Sequence, residues 1–292
     1  MSWSDSYAGR LDVNVPLGPL TWYRVGGAAR FLCAPSSAED LKEIARRARE
    51  AELPVKVLGR GANVLVRDNG FNGLVVRLDH PEFRAIRFQG PRVIVGAGYD
   101  LMKLCLATVR RGLAGLECLA GIPGTVGGAI RMNAGGRFGC IADVVDRFEV
   151  LTPEGGVETR TREQAGFAYR RCALGNGIVL RAELGLAPED RQALAQRFRQ
   201  NWDYKKKTQP LADRSAGCVF KNPPGESAGR LIDQAGLKGE RCGGAVVSRQ
   251  HANFISADDG ADASDVLRLI DRIRTRVRAT FQRDLELEID VW

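Results

Sequence analysis

The sequence predicts an α+β protein of two domains. Three observations carry that expectation. Amphipathic segments of helical period alternate with short β-branched runs, the glycines gather in a few tight turns, and a charged helical stretch near residue 190 separates a longer first part from a shorter second one. With 292 residues, 44% of them apolar, the chain can bury two cores.

The elements follow in order. Ser37 is placed to cap a helix with Leu41, Ile44, Ala45 and Ala48 at helical spacing, and Leu53-Pro54 ends it. Residues 55–58 read as a buried strand that stops at Gly59, and a β-rich stretch runs on through Leu65, Val66, Val75, Val76 and Leu78. Residues 92–95 form another strand, and Asp100 opens a helix with Leu101, Leu104 and Cys105 inward. Val144, Val145, Phe148, Val150 and Val157, then residues 178–180, have strand character.

Pro188-Glu189-Asp190 starts a charged helix reaching Tyr204, and the domain boundary is placed there. The expected division is an N-terminal extension over 1–20, a first domain over 21–187 and a second over 188–292. In the second, residues 218–220 read as a strand, 228–235 as a helix and 253–255 as a strand. A long helix capped by Ser264 follows, with Val266, Ile270, Ile273 and Val277 on one face, and leads into a closing strand at 285–291.

Composition limits the function classes. The seven cysteines form no CxxC pair and their odd number cannot close into a full disulfide set, so reduced thiols in the cytoplasm are expected, and no metal. No apolar run approaches the about 20 residues of a membrane span. The start MSWSDSYAGR lacks the plan of a signal peptide, so the protein is expected to be soluble, with no membrane partner. A net charge of +8 suits either a nucleic-acid binder or an enzyme with phosphorylated, carboxylated ligands. Arg46, Arg47 and Arg49, and Arg272, Arg274, Arg276 and Arg278, fall on helix faces and read as solvated surface, as does the run Lys205, Lys206, Lys207.

Two glycine-rich loops stand out. In GRGANVLVRDNGF, residues 59–71, a strand ends in Gly-x-Gly, which lets backbone N–H groups approach a phosphate. Val64 occupies the place of the third glycine of a dinucleotide fingerprint, so a nicotinamide Rossmann domain is disfavoured. The second loop, GIPGTVGGAIRMNAGGRFG, residues 121–139, holds seven glycines in an almost uncharged stretch, a composition that points to a buried cofactor. Pro123 stiffens it, and Thr125 and Asn133 offer hydrogen bonds to a phosphate, a ribose or a flavin edge.

The pieces TWYRVGGAARF, GRGANVLVRDNGFNG, GLECLAGIPGTVGGAIRMNAG, FAYRRC, SAGCVFKNP, SAGRLIDQAGLKG, GGAVVSRQHANFI and LELE occur here in one order. In that order they resemble the enolpyruvyl-UDP-N-acetylglucosamine reductases, over nearly the whole chain from Thr21. The resemblance implies an FAD-binding domain of the vanillyl-alcohol oxidase (PCMH) type followed by a smaller α+β substrate-binding domain, in the shorter class that lacks a tyrosine-bearing loop. It implies FAD as cofactor and NADPH as co-substrate, the latter using the substrate pocket in turn. UDP-N-acetylenolpyruvoylglucosamine would be reduced to UDP-N-acetylmuramate for peptidoglycan synthesis, by a monomer that binds no nucleic acid.

Carried over residue by residue, the cofactor positions are Gly59, Arg60, Gly61, Ala62, Asn63, Val64 and Leu65 in the first loop. In the second they are Gly121, Ile122, Pro123, Gly124, Thr125, Val126, Gly127 and Gly128, then Asn133, Ala134 and Gly135. Ala62 departs from the family's usual serine, which removes any hydroxyl contact there.

Reducing an enolpyruvyl ether leaves carbanion character beside its carboxylate, which calls for a cation and a proton donor. The resemblance assigns the cation to Arg170 of FAYRRC, and strand alternation lets only one of Arg170 and Arg171 face a site. It assigns the donor to Cys218 of SAGCVFKNP, where the family carries serine or cysteine; an ordinary thiol, pKa about 8.5, holds its proton at neutral pH. The other six cysteines read as small buried hydrophobes. Glu288 is the matching second glutamate of LELE, although alternation puts Glu286 on the same face and the usual Phe-Gly turn before it is missing. Lys221 and Asn222 are expected to bind substrate, whereas His251 is equally readable as structural or as a substrate contact. Two other classes remain open: a flavoprotein oxidase of the same fold, and a basic nucleic-acid-binding protein.

Overall fold

The computed structural model describes residues 11–292, so the first half of the expected 1–20 extension lies outside the described residues. The described residues form two compact units that are discontinuous in sequence. The first comprises residues up to 13, then 31–59 and 73–205; the second comprises 14–30, 60–72 and 206–292. Each has its own hydrophobic core. The two packing units interleave along the sequence. Residues 64 and 65 pair with Asp290–Val291 near the other end of the chain, and local composition carries no sign of such a distant partner.

In the first unit, helix α1 (Ala38–Glu50) is capped as expected, the Ser37 hydroxyl accepting from the Asp40 N–H at 3.1 Å. It buries Leu41, Ile44 and Ala48. Helix α2 (Leu101–Val109) starts at Asp100, whose carboxylate accepts from the Lys103 N–H at 2.8 Å, and buries Leu101, Leu104 and Cys105. A short helix α3 (Val126–Arg131) rises inside the second glycine loop, and α4 runs Arg191–Thr208. The strands Val157–Thr161, Val145–Leu151, Ile178–Gly185, Arg92–Gly96 and Ile86–Gln89 form, in that order, one antiparallel sheet. Phe148, Val150, Val95 and Ala182 are buried from it. A second, parallel pairing joins residues 55–57 to residues 74–76. Ala28–Cys33 and Ile86–Gln89 were not expected as strands from periodicity.

The second unit holds helices α5 (Ala228–Gln234) and α6 (Ala263–Phe281) and a three-stranded antiparallel sheet of Arg241–Cys242, Ala245–Val247 and Ile255–Ala257. The α6 face of Val266, Ile270, Ile273 and Val277 is buried as its spacing predicts. Its cap is not Ser264. Asp262 and Asp265 make a reciprocal capping box, with the Asp265 N–H to Asp262 Oδ1 at 2.7 Å, while Ser264 lies inside the helix. The expected strands at 218–220 and 285–291 are reduced to single bridges, Cys218 with Phe254 and Phe220 with Leu287, and to the short strand Asp290–Val291. No helix of the described residues is long and apolar enough to cross a membrane.

Asp265 also accepts from the Gly244 N–H at 2.8 Å, and this bond leads the causes that hold its carboxyl below the ordinary carboxylate range. The neighbouring Gly243 has φ +54°, and a Cβ there would stand 2.0 Å from Asp265 Oδ1. We therefore expect Gly243→Ala to destabilise the protein by at least about 1–3 kcal/mol, the range for a left-handed non-glycine residue alone. Thermal unfolding measures this, and an unchanged midpoint would contradict it.

Candidate functional site

In the first unit an open cleft gathers residues that are distant in sequence. Gly59 comes from the first glycine loop, and Thr125, Gly127 and Gly128 come from the second. Close side-chain packing leaves little room for a Cβ at Gly59 and Gly127. A Cβ on Gly59 would stand 2.7 Å from Thr125 Oγ1, and one on Gly127 would stand 2.9 Å from the Ala97 Cβ. Thr125 caps α3 by accepting from the Gly128 N–H at 3.3 Å, and the Gly127 N–H donates to Ala97 O at 2.8 Å.

Arg131 also lines the cleft, its guanidinium donating to Gly175 O at 3.1 Å and Gly177 O at 2.6 Å. Apolar walls of Leu58, Leu78 and Val179, floors without Cβ atoms and a fixed cation make a surface that suits a flat, anionic dinucleotide such as FAD. Four of the lining residues, Gly59, Thr125, Gly127 and Gly128, were expected from the sequence; the walls at 57–58 and 78–79, Ala97, Gly98, Arg131 and the 177–179 segment were not. The run Gly96-Ala97-Gly98 straight after a strand was the available signal.

The rest of the second loop divides. Gly121 has φ +78°, and a Cβ there would meet Lys205 Cδ at 3.0 Å and Trp202 at 3.3 Å. Lys205 is only 7% exposed, which corrects the solvated run expected at 205–207: its aliphatic stem is laid over Gly121, while Lys206 and Lys207 are exposed. One face of α4 grips this turn, with Arg197 on the Glu117 carboxylate at 2.8 Å and Asn201 Nδ2 on Glu117 O at 3.0 Å. Ile122, Pro123 and Gly124 are half-buried, and Val126 is fully buried in the core.

Beyond α3 the chain folds for its own reasons. The Asn133 amide donates to Ala168 O at 3.0 Å and accepts from the Ala142 N–H at 3.3 Å, so both its ends serve the backbone. The Ala134 N–H closes on Ala129 O, and Gly135 belongs to a hairpin with residues 139–140.

Arg170 lies on a tight turn, not on a strand. Ala168 and Arg171 bond each other reciprocally at 3.0 and 3.1 Å, and Arg170 takes φ +54° with its guanidinium 5.1 Å from the Tyr169 ring. Strand alternation thus does not separate Arg170 from Arg171. Burial does, since Arg170 is half-buried and Arg171 exposed. A non-glycine residue held at positive φ is a feature that concentrates at functional sites.

In the second unit the two segments that carry Cys218 and Glu288 are joined. The Glu288 N–H donates to Val219 O at 2.8 Å, and the Lys221 N–H donates to Glu286 O at 2.8 Å. Asn253, 3% exposed, braces the first segment by accepting from the Phe220 N–H at 2.9 Å and donating to Phe220 O at 2.8 Å. The two glutamates now differ. Glu286 has a side chain 74% exposed and paired with the Lys221 ammonium, whereas Glu288 is half-buried. Cys218 is half-buried as well.

Asn222 Oδ1 accepts from the Ala228 N–H at the start of α5, at 3.0 Å. His251 Nδ1 accepts from the Asn253 N–H at 3.2 Å with its ring 4.9 Å from that of Phe254, so it is built into the loop. Gly61, φ +65°, lies where a Cβ would be 2.4 Å from Leu20 O; the segment after it, with half-buried Ala62, pairs Val64 and Leu65 with residues 290 and 291. Arg60 is exposed.

All seven cysteines are free. Burial pushes the Cys33 and Cys118 thiols up to about 12 and Cys172 up to about 11, and raises Cys105 and Cys140 too. No group of three or more His, Cys, Asp or Glu among the described residues could hold a metal.

Residues 29–160 match the model of an FAD binding domain, and 209–292 match the C-terminal domain of UDP-N-acetylenolpyruvoylglucosamine reductase. UDP-N-acetylenolpyruvoylglucosamine reductase 2 of Symbiobacterium thermophilum is 46% identical over 286 residues, covering 97% of this chain and 92% of the relative. The Bacillus subtilis reductase is 38% identical over 290 residues, 97% of this chain and 94% of its own. Among solved structures, the UDP-N-acetylenolpyruvylglucosamine reductase of Thermus caldophilus superposes with a TM-score of 0.85 at 42% identity, covering 97% of this chain and 99% of that one.

Burial, ahead of the Lys238 charge, lowers the His251 pKa below its ordinary value, against the backbone bond that raises it. A depressed folded pKa means that the neutral ring's contribution to stability is complete above the unfolded value of about 6.5 and is lost as pH falls through the folded one. A titration of the His251 ring by NMR, with His80→Gln for assignment, should give a midpoint below 6.5; a midpoint above it would contradict this burial.

Proposed function

The chain belongs to the UDP-N-acetylenolpyruvoylglucosamine reductases, and from that premise we propose that Cys218 protonates the reduced substrate with Arg170 and Glu288 stabilising its charge. The overall reaction is the FAD-dependent reduction of UDP-N-acetylenolpyruvoylglucosamine, with NADPH as reductant, in peptidoglycan synthesis. One observation supports the assignment of roles most directly: the 2.8 Å bond from the Glu288 N–H to Val219 O, which ties the glutamate to the residue after the thiol.

FAD held against Gly59, Thr125, Gly127 and Gly128 would supply hydride, drawn from NADPH, for addition to the terminal CH2 of the enolpyruvyl group. That carbon becomes a methyl group, and the carbon beside the carboxylate acquires negative charge. The guanidinium of Arg170, on its constrained turn, holds the carboxylate and favours the charge-delocalised form. The Cys218 Sγ–H bond breaks as its proton passes to the α carbon, which yields the lactyl ether and a thiolate that regains a proton from solvent. The half-buried Glu288 carboxylate assists that transfer.

Gly59, with Thr125, Gly127 and Gly128 of the first unit's cleft, supplies the flavin-side surface; Gly121 to Gly124 lead into it, and Arg60 to Leu65 follow Gly59 directly along the chain. Lys221, Asn222 and His251 serve the substrate side through segments whose shape they fix. We place the functional division at 21–187 and 188–292, in a monomeric cytoplasmic enzyme.

The test uses the two half-reactions. Cys218→Ser should keep measurable turnover, whereas Cys218→Ala should be bleached by NADPH and then fail to be reoxidised by the enolpyruvyl substrate. A single general acid is worth about 10²–10⁴-fold, and the slowed step should show that loss. Reoxidation of the alanine variant at the wild-type rate would overturn the assignment.

A further inference from the structure

We infer that the side chain of Asn63 is a positioning residue for Glu288, reached through Glu288's own peptide; this rests on the catalytic role given to Glu288 above. The resemblance reads residue 63 as a cofactor position, but within the second unit its amide has another partner. Asn63 Nδ2 donates to Glu288 O at 3.1 Å, while the Asn63 carbonyl accepts from the Asp290 N–H at 2.9 Å. Residues 64 and 65 continue as a parallel ladder with Asp290–Val291, extended by the Trp292 N–H to Leu65 O at 2.9 Å and the Arg67 N–H to Trp292 O at 3.0 Å. At the near end of that ladder the next rung is made by the Asn63 side chain.

The opposite side of the same residue is fixed as well. The Glu288 N–H is held by Val219 O, and the Val219 N–H by Asn253 O, each at 2.8 Å. Glu288 thus has its N–H on the segment that carries Cys218 and its C=O on Asn63. Two backbone bonds on one residue, pulling from two sides, fix both its place and the rotation of its Cα–Cβ direction. Removing the Asn63 donor leaves the carbonyl side loose and lets the carboxylate drift from its working position relative to the thiol. A displacement of about 1 Å costs on the order of 100-fold in a positioned reaction.

The test compares Asn63→Leu, which keeps the size and loses the donor, with Asn63→Asp as a second variant should the first not fold. Three quantities are measured: the FAD dissociation constant of the apoprotein, the rate of bleaching by NADPH, and the rate of reoxidation by the enolpyruvyl substrate. Reoxidation should fall about 10- to 100-fold further than bleaching does, with the substrate KM little changed. Combining Asn63→Leu with Glu288→Gln should give a variant no slower in reoxidation than Glu288→Gln alone, since both act through one group.

Equal slowing of bleaching and reoxidation together with weaker FAD binding would overturn the inference, because the side chain would then serve the cofactor. So would wild-type reoxidation in Asn63→Leu. The Glu288→Gln control separates the two readings: if it is slow while Asn63→Leu is not, only this inference fails, and if it is itself as fast as wild type, the role of Glu288 fails.

Discussion

Both units depend on places where backbone must come close to another group and no Cβ can stand between them. Gly98 is the sharpest case, since a Cβ there would lie 1.9 Å from Leu78 O. Together with Gly59 and Gly127 it sets the width of the first unit's cleft. In the second unit Gly61 meets the backbone of residues 20 and 21, with its carbonyl accepting from the Trp22 N–H at 3.0 Å. That contact starts the segment that brings Asn63 to Glu288. The same residue type, used for the same steric reason, therefore shapes the cleft of the first unit and the backing of Glu288 in the second.

The chemistry divides along physical lines. The role proposed for Arg170 calls for a fixed direction, and its turn pins a non-glycine residue at positive φ. A proton donor needs a protonated resting state, which a thiol provides without any dedicated base. Four of the other six cysteines are inert packing groups, Cys33, Cys105, Cys118 and Cys172, whose thiols burial raises, whereas Cys140 and Cys242 are half-buried and not the buried hydrophobes expected of all six. Glu286 and Glu288, indistinguishable by spacing, separate once Lys221 draws the first to the surface.

Much of the fold was legible because it is local. Ser37 and Asp100 cap the helices that their positions announce, and the apolar stripe of α6 is buried where its period of 3.6 puts it. What was not legible depends on distant partners. The α6 cap was given to Ser264, but Asp262 wins because Asp265 three residues on can answer it, and Ser264 instead donates to Asp68 from a distant segment. The strand expected at 285–291 frays into one bridge and a two-residue pair, since its partners are a short loop on one side and residues 64 and 65 on the other. The cleft was half readable: glycines marked its two loops, whereas Arg131 lies unmarked within the second loop and the 177–179 wall comes from a segment that reads as an ordinary strand start.

The most direct test of the account is an anaerobic titration of the purified protein followed through the visible flavin band. The expected result is a yellow protein that NADPH bleaches and that enolpyruvyl-UDP-N-acetylglucosamine recolours in equimolar amount, with no oxygen present. A protein that holds no flavin, or whose reduced flavin is left bleached by that substrate, would contradict it.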